Sequence, residues 1–267
     1  MTRGPDRIRA DALLVERGLA SSRAQAQALV MAGKVSSGPR RIDKPGALLP
    51  HDADLTVAAG PRFVSRGGDK LDHALNTFAE HGLDVTARVC LDVGASTGGF
   101  TDCLLQRGAA KVIAVDVGYG QLADKLRKDP RVEARERVNA RDLNPTDFAE
   151  PIDIVVVDAS FIGIGKLIGA IARVIRPEGW LVALIKPQFE AGREAVSKGR
   201  GVIRDETTRL AAVAAARASV EEAGFSVIAE ADSEVKGPKG NVERFLFAQR
   251  IADASGPMDL AVTPKRC

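Results

Sequence analysis

The feature that most constrains the fold is an alternation that fills the last three quarters of the chain. Short apolar segments rich in β-branched residues alternate there with segments of helical spacing. Apolar runs of this kind predict strands buried on both faces, which in alternation with helices form a mainly parallel sheet covered by helices. The strands predicted in this way are Val89–Val93, Val112–Asp116, Ile152–Asp158 and Leu181–Lys186.

The last two predicted strands pair differently. Phe225–Ile228 and Arg244–Ala248 are separated only by the loop around Gly237–Gly240, which is too short for a helical crossover. They must therefore pair as an antiparallel hairpin. A mainly parallel, seven-stranded, doubly wound sheet that ends in such a hairpin is the arrangement of the class I (Rossmann-like) methyltransferases, and it is predicted here for residues 70–250.

Residues 1–60 predict a small αα-β domain. A first helix contains Ile8 and ends at Gly18, and a second is capped by Ser21 or Ser22 and ends at Gly33. Residues 61–69 are predicted as a linker that contains a Gly-Gly breaker, and residues 251–267 as a C-terminal tail. The short strands predicted for the small domain lie at Val35, Ile42, Leu48–Leu49 and Leu55–Val57.

Charge is distributed unevenly along the chain. The 267 residues carry a net charge of only +3, yet residues 1–70 hold twelve Lys and Arg against seven Asp and Glu. A basic first part suggests an anionic partner, with a solvated basic face as the alternative. With 45% hydrophobic residues the chain can bury a full core, which excludes disorder throughout.

Cysteine usage and hydropathy indicate the cellular compartment of the protein. The three cysteines, Cys90, Cys103 and Cys267, show no Cys-x-x-Cys spacing, so neither a disulfide framework nor a zinc site is expected. The N-terminus is polar without a following apolar run, and no segment approaches the roughly 20 apolar residues of a membrane span. We expect a cytoplasmic protein with no membrane partner and no metal; the oligomeric state is left open.

A glycine-rich loop and an acid predict a cofactor site. The loop follows the first strand with the spacing Gly-x-x-x-Gly-Gly, and Asp116 ends the next strand. Glycines let the backbone approach a ligand, and an acid in this place accepts hydrogen bonds from both ribose hydroxyls. A merely structural turn is the alternative for the loop alone. The predicted cofactor residues are Gly94, Ala95, Ser96, Thr97, Gly98, Gly99, Phe100, Asp116, Val117 and Asp158, with Asp142 as a candidate for the adenine amino group or else an ordinary loop aspartate.

Four further residues converge by topology. Asp158 and Lys186 end two parallel strands, Glu243 begins the final antiparallel strand, and Lys70 heads the helix that enters the domain. The carboxyl ends of parallel strands share the edge where ligands bind, so these two lysines and two carboxylates can surround one pocket. A surface ion-pair network is the alternative.

Residues 62–249 resemble the TlyA (hemolysin A) family of ribosomal RNA 2′-O-methyltransferases, related to the FtsJ group. The resemblance rests on the loop from Gly94 to Phe100 and on matching segments that begin at Val64, Asp116, Asp158, Lys186 and Gly240. Residues 6–57 resemble the S4-type RNA-binding domain, with Leu14–Leu19 as the best match; Ser36-Ser37-Gly38 departs from the Asn-Gly turn common in such domains.

The resemblance implies an S-adenosylmethionine-dependent enzyme that methylates ribose, of cytidine in small- and large-subunit rRNA, with ribosomal subunits as partners. It also implies that Lys70, Asp158, Lys186 and Glu243 form a catalytic tetrad. We hypothesise that Lys186 accepts the hydroxyl proton or stabilises the oxyanion, that Asp158 orients Lys186, and that Glu243 fixes Lys70 and the ribose.

RNA is expected to be held by basic side chains that contact phosphates. For the function of the whole chain there are three competing interpretations: a small-molecule or protein methyltransferase, an RNA-binding assembly factor with an inactive methyltransferase domain, and a hemolysin. A second basic group, expected to close over the target, comprises Lys198, Arg200, Arg204, Lys236 and Lys239. The principal RNA-binding candidates are Arg17, Arg23, Lys34, Arg40, Arg41 and Arg66.

Overall fold

The computed structural model describes residues 7–191, 202–237 and 239–252. The chain divides into two compact units, Met1–Arg62 and Phe63–Cys267. Of the predicted tail, only residues 251 and 252 fall within the described ranges.

The first unit combines two short helices with short antiparallel strands. One sheet has the strand order β3-β2-β5, and β1 pairs separately with β4. The helix and strand composition confirms the αα-β prediction. The elements are β1 (Arg7–Arg9), α1 (Ala10–Glu16), α2 (Arg23–Met31), β2 (Val35–Ser37), β3 (Arg40–Arg41), β4 (Leu48–Pro50) and β5 (Leu55–Val57).

The beginning of the first helix differs from the prediction. Ile8 lies in strand β1 opposite Leu49, not in the helix, because β1 and β4 form a short antiparallel ladder immediately before Ala10. Of the two predicted caps for α2, Ser22 is the one in place, and its hydroxyl accepts a hydrogen bond from the Gln25 main-chain N–H at 3.2 Å. The unit has a core of its own, which comprises Ala10, Leu13, Leu14, Ala20, Ala26, Val30, Val35, Ile42 and Leu55.

The second unit is a doubly wound α/β structure. Its single sheet has seven strands in the order β11-β12-β10-β9-β6-β7-β8, and only β12 runs antiparallel to its neighbours. The elements are α3 (Arg66–Phe78), β6 (Val89–Val93), α4 (Gly99–Gln106), β7 (Lys111–Asp116), α5 (Asp124–Arg127), β8 (Val132–Glu136), β9 (Ile152–Val157), α6 (Ile168–Val174), β10 (Ile175–Ile185), α7 (Pro187–Glu190), α8 (Glu206–Glu222), β11 (Phe225–Asp232) and β12 (Arg244–Arg250).

The sheet is buried on both faces, which explains its continuous apolar strands. Alternate residues of β9 serve different cores: Val155 and Val157 pack with α6 and α8, whereas Ile154 and Val156 pack with α3 and α4. Successive side chains of a strand point to opposite faces, so a strand covered on both sides needs apolar residues at every position. The predicted class I fold with its terminal antiparallel hairpin is confirmed.

The second unit differs from the prediction in one additional strand and in the position at which its first helix begins. Strand β8 was absent from the predicted strands because Val132–Glu136 is half-buried at the sheet edge and alternates charged with apolar residues. Residues 66–69, assigned to the linker, form the first turn of α3, whose N-cap is Ser65. The Gly-Gly pair lies within this helix and does not break it. Gly68 packs against the buried ring of Phe63, where a Cβ would clash, so this position requires glycine.

Candidate active site

The glycine loop between β6 and α4 is bent in a way that requires glycine. Gly94 has φ +86° and Gly98 has φ +97°. A Cβ on Gly94 would lie 3.0 Å from the main chain of Asp158 and Ala159, so a larger residue would press against the end of β9. The loop thereby brings free backbone close to the carboxyl edge of the sheet, where a ligand can reach it.

Asp116 holds the loop from the neighbouring strand. Its carboxylate accepts hydrogen bonds from the main-chain N–H groups of Ser96 at 2.8 Å and Gly118 at 2.6 Å. The side chain therefore lies directly beside the loop, with Val117 exposed next to it. The predicted pairing of loop and acid is present in the geometry.

A cavity of about 680 Å³ opens between these groups and the end of β9. Asp142 does not line it. The three residues before Asp142 do, and Asp142 itself lies exposed at the end of a 3₁₀ turn. The lining residues outside the predicted cofactor set are Val93, Val115, Gly118, Gln121, Val138, Asn139, Ala140, Arg141, Ala159, Ser160, Phe161, Ile162, Lys166 and Leu167.

A second cavity, of about 720 Å³, shares Gly94, Ser96 and Asp158 with the first. The two cavities therefore form one continuous groove along the carboxyl edge of the sheet. All four predicted tetrad residues line this second cavity, and they are arranged as two ion pairs. Lys186 Nζ lies 2.7 Å from Asp158 Oδ1, and Lys70 Nζ lies 2.5 Å from Glu243 Oε2.

Strand register explains why these four side chains meet. In the β9–β10 pair Val157 is opposite Ala183, so Asp158 follows β9 close to the end of β10, where Lys186 follows. In the β10–β12 pair Ile185 is opposite Arg244, which places Glu243 beside Lys186 from the antiparallel direction. Lys70 reaches the same point from the second turn of α3.

Lys186 is fully engaged by oxygen atoms. Besides the ion pair with Asp158, its Nζ donates to the Asp158 main-chain oxygen at 3.2 Å and to Ser160 Oγ at 2.9 Å. Two of the three donors of the ammonium form hydrogen bonds here, and Asp158 Oδ1 lies in ionic contact without hydrogen-bond geometry. The side chain is only 8% exposed, so this cage holds a largely desolvated cation in one position.

The second pair leaves one acceptor open. Glu243 is 1% exposed and receives Lys70 on Oε2, while Oε1 is buried and has no hydrogen-bond partner among the residues that the structure describes. Buried carboxylate oxygens are normally satisfied. Glu243 lines the cavity, and its open oxygen lies just below the cavity surface beside Gly237.

Asp92 is a buried acid that the sequence analysis did not single out. It lies in β6 without solvent exposure, and Oδ2 accepts a hydrogen bond from Thr101 Oγ1 at 2.7 Å. Burial raises the pKa of Asp92 to about 7, and the carboxylates of Asp158 and Asp116 also raise it. Asp92 lines neither cavity and joins β6 to the first turn of α4.

The wall of the second cavity also contains residues outside the predicted set. Phe161 is 91% exposed with φ +65°, and its ring lies 5.3 Å from that of Phe189. These residues adjoin Asp158 and Lys186 in the chain, so the strand-end rule that found those two could have been extended by a few positions. The additional lining residues are Ser65, Gly67, Ser160, Phe161, Gln188, Phe189 and Asn241.

The predicted RNA-binding residues have different surroundings. Arg17 donates to the main-chain oxygens of Ala53 and of His51, the latter at 2.5 Å, and Arg23 pairs with the buried Asp11 at 3.2 Å. These two guanidinium groups therefore have structural partners within the first unit.

The remaining candidates include more open side chains. Arg40 is exposed, Lys34 is partly exposed, and Arg41 pairs with Asp43 at 3.0 Å. Arg66 belongs to the second unit, where it lines the larger cavity at the start of α3.

In the second basic group, Lys239 lines the larger cavity, whereas Arg204 and Lys236 are exposed. Lys198 and Arg200 lie outside the described residues. Within the described ranges no helix is long and apolar enough to cross a membrane. The same ranges contain no group of three or more His, Cys, Asp or Glu side chains arranged to hold a metal ion.

The fold and the glycine loop with Asp116 beside it define the class: an S-adenosylmethionine-dependent methyltransferase of class I, preceded by a small αα-β unit. The comparison with protein families agrees. The FtsJ-like methyltransferase family matches residues 63–250, and the S4 domain matches residues 8–54.

Similar proteins narrow the family. The chain is 45% identical to the 16S/23S rRNA (cytidine-2′-O)-methyltransferase TlyA of Mycobacterium tuberculosis, over 92% of this chain and 91% of that protein. It is 41% identical to hemolysin A of Brachyspira hyodysenteriae, over 88% and 97% of the two chains. The solved structure of a candidate hemolysin from Streptococcus thermophilus matches with a TM-score of 0.68 at 39% identity, covering 93% of this chain and 90% of that one. The chain belongs to the TlyA family of FtsJ-like methyltransferases.

Proposed function

We propose that this protein transfers a methyl group from S-adenosylmethionine to the ribose 2′-hydroxyl of a cytidine in ribosomal RNA. The observation that carries the proposal is the pair of buried ion pairs, Lys186–Asp158 and Lys70–Glu243, in a cavity continuous with the cofactor groove. The cytidine and the rRNA come from the printed function of the Mycobacterium tuberculosis relative.

The groove fits the cofactor. Gly94 lets the loop pack against the main chain at the end of β9 and so reach the carboxyl edge of the sheet, and Asp116 can exchange its loop hydrogen bonds for those of a ribose diol. Residues 94–100, Asp116 and Asp158 would hold S-adenosylmethionine, and the cavity lined by Asn139 would take its adenine. When bound, the cofactor supplies an electrophilic methyl group on a sulfonium.

Lys186 has the contacts of an electrostatic stabiliser. Its Nζ donates two hydrogen bonds and is ion-paired with Asp158, so acting as a base would require loss of the proton and of this charge pairing. The longest of these bonds, 3.2 Å to the Asp158 main-chain oxygen, is the one that a substrate oxygen can most easily replace. Lys186 would then face the 2′-oxygen as negative charge develops on it, and Asp158 and Ser160 would keep the ammonium in place.

Glu243 is suited to align the target. Its free Oε1 can accept a hydrogen bond from the ribose hydroxyl, while Lys70 neutralises the carboxylate from the other side. Alignment of the hydroxyl with the methyl group supplies a large part of the rate enhancement in a displacement reaction.

The first unit would supply RNA affinity. The match to the S4 domain and the exposed Arg40 support phosphate contacts there. Ribosomal subunits are the proposed partners, and the cytoplasm, where they are assembled, is the proposed location.

Transfer of labelled methyl from S-adenosylmethionine to small subunits, large subunits and protein-free rRNA tests the proposal. Label that resists alkaline hydrolysis is expected with the wild type and absent with Lys186→Ala. Lys128→Ala removes an exposed lysine that lines neither cavity and is the matched control. Absence of label in RNA, despite measurable cofactor binding, would instead favour a small-molecule substrate or an assembly factor without methyltransferase activity.

A further inference from the structure

Gln188 is a lining residue of the larger cavity that the proposed chemistry does not use. It lies in α7, which begins with Pro187 directly after Lys186. Its side-chain oxygen Oε1 is buried, and no described residue donates a hydrogen bond to it. A buried carboxamide oxygen without a donor is unfavourable unless a bound molecule provides one.

The short helix that carries Gln188 is held firmly in place. Pro187 is buried, and Glu190 Oε1 accepts a hydrogen bond from the Ile164 main-chain N–H at 2.8 Å. The ring of Phe189 lies between Phe161 and the Lys186 ammonium, with its centroid 5.3 Å from the Phe161 ring and 5.9 Å from Nζ. The carboxamide therefore extends from an anchored turn beside the catalytic lysine.

Two bound groups could supply the missing donor: the ammonium of the cofactor's amino-acid part and an amino group of the target base. The order of the strands shows which of these two donor groups lies near Gln188. The cofactor loop follows β6, whereas α7 follows β10, and β9 lies between these strands. Two strand spacings amount to roughly 10 Å. Gln188 thus lies on the target side of Asp158, away from the glycine loop.

We propose that the Gln188 carboxamide reads the target base by accepting a hydrogen bond from the exocyclic amino group of cytosine. This inference rests on the proposed function. Cytosine presents an amino donor next to the ring acceptor N3, which matches a carboxamide oxygen and its neighbouring NH₂ group. Uracil presents a carbonyl oxygen next to N3–H, a pattern that the carboxamide could match only by rotating through 180° and placing its NH₂ group where Oε1 is now buried.

Two substitutions of Gln188 test its hydrogen bonding as a whole and its donor and acceptor groups separately. Gln188→Met keeps the length of the side chain but removes its hydrogen bonding. Gln188→Glu keeps an acceptor for the cytosine amino group but replaces the donor that faces N3 by a second acceptor, which suits uracil N3–H instead. Gln249→Met is the matched control, because Gln249 bonds only the Glu178 main chain at the opposite end of β10.

The assay is single-turnover methylation of subunits that carry the mapped target as cytidine or as uridine, with cofactor affinity measured by calorimetry. The wild type and Gln249→Met should prefer cytidine, whereas Gln188→Glu should lose most of this preference because it no longer donates to N3. In Gln188→Met we expect the preference to fall roughly 5- to 100-fold, the range for one base-specific contact, with cofactor affinity unchanged. An unchanged preference in Gln188→Met would overturn the proposal, and a loss confined to cofactor affinity would assign Gln188 to the cofactor's ammonium instead. A wild type that methylates neither RNA would refute the proposed function itself.

Discussion

Asp92 allows a prediction whose size follows from the structure. Its carboxyl group is completely buried in β6, and its pKa is raised to about 7 by burial, from 3.8 in an unfolded chain. Between these two values the folded state binds the proton and the unfolded state does not. The stability of the second unit should therefore fall as the pH rises through this window.

The change from Asp92 to Asn removes this titration while keeping an oxygen that accepts from Thr101. A pKa difference of about 3 units corresponds to roughly 4 kcal/mol over the whole window, and to about 3 kcal/mol between pH 5 and pH 8. Asp92→Asn should therefore gain about 3 kcal/mol on the wild type over that range.

Urea unfolding followed by tryptophan fluorescence measures this difference. Trp180 is the chain's single tryptophan and lies in β10, so its emission reports the second unit. Thr101→Val, which removes the hydroxyl that bonds Asp92, should raise the pKa of Asp92 further and extend the loss of stability to higher pH. A stability difference between Asp92→Asn and the wild type that does not vary with pH would refute the reasoning.

Three further predictions concern the loop, the first unit and the lysine cage. Gly94→Ala adds a Cβ at φ +86°, 3.0 Å from the main chain that follows β9, and should weaken cofactor binding at least tenfold by calorimetry. An unchanged affinity would contradict the inferred role of the glycine loop in cofactor binding. Asp11→Ala should destabilise the first unit by about 1–3 kcal/mol, because it removes the hydrogen bonds that the buried carboxylate accepts from the half-exposed Arg9 and Arg23. Because these partners hold the pKa of Asp11 well below its usual range, its contribution is present above about pH 4 and is lost as the pH falls, which circular dichroism of the variant and the wild type can check. Ser160→Ala removes one acceptor from Lys186 and should lower kcat about tenfold with little effect on KM for RNA; a change in KM alone would contradict a positioning role.

Much of this architecture was predictable because the sheet is covered on both faces. Ile154–Val157 and Leu181–Ile185 are apolar at every position, which makes their pattern strong. β8 shows the opposite case, because an edge strand with one half-exposed face has a weak pattern. Ile8 was assigned to a helix because a strand of only three residues has too short a pattern to be distinguished from a helix. Its pairing with Leu49 becomes visible only in the structure.

The site was predictable as far as it depends on strand ends. Asp158 and Lys186 follow parallel strands, so topology alone brings them together. The choice of partners needed the structure, since only coordinates show that Lys70 bonds Glu243 and that Ser160 completes the cage around Lys186. Sequence also gave no indication that Gln188 has a buried oxygen without a donor, because that depends on packing around α7.

The central claim is that the methyl acceptor is a ribose 2′-oxygen held at Lys186. The most direct test replaces the mapped target cytidine by 2′-deoxycytidine in an otherwise identical RNA and measures methyl transfer by the wild type, with nucleoside mass spectrometry of the products. We predict 2′-O-methylcytidine from the ribose substrate and no transfer to the deoxy substrate. Methyl transfer that persists on the deoxy substrate, or a methyl group on the base, would contradict the account.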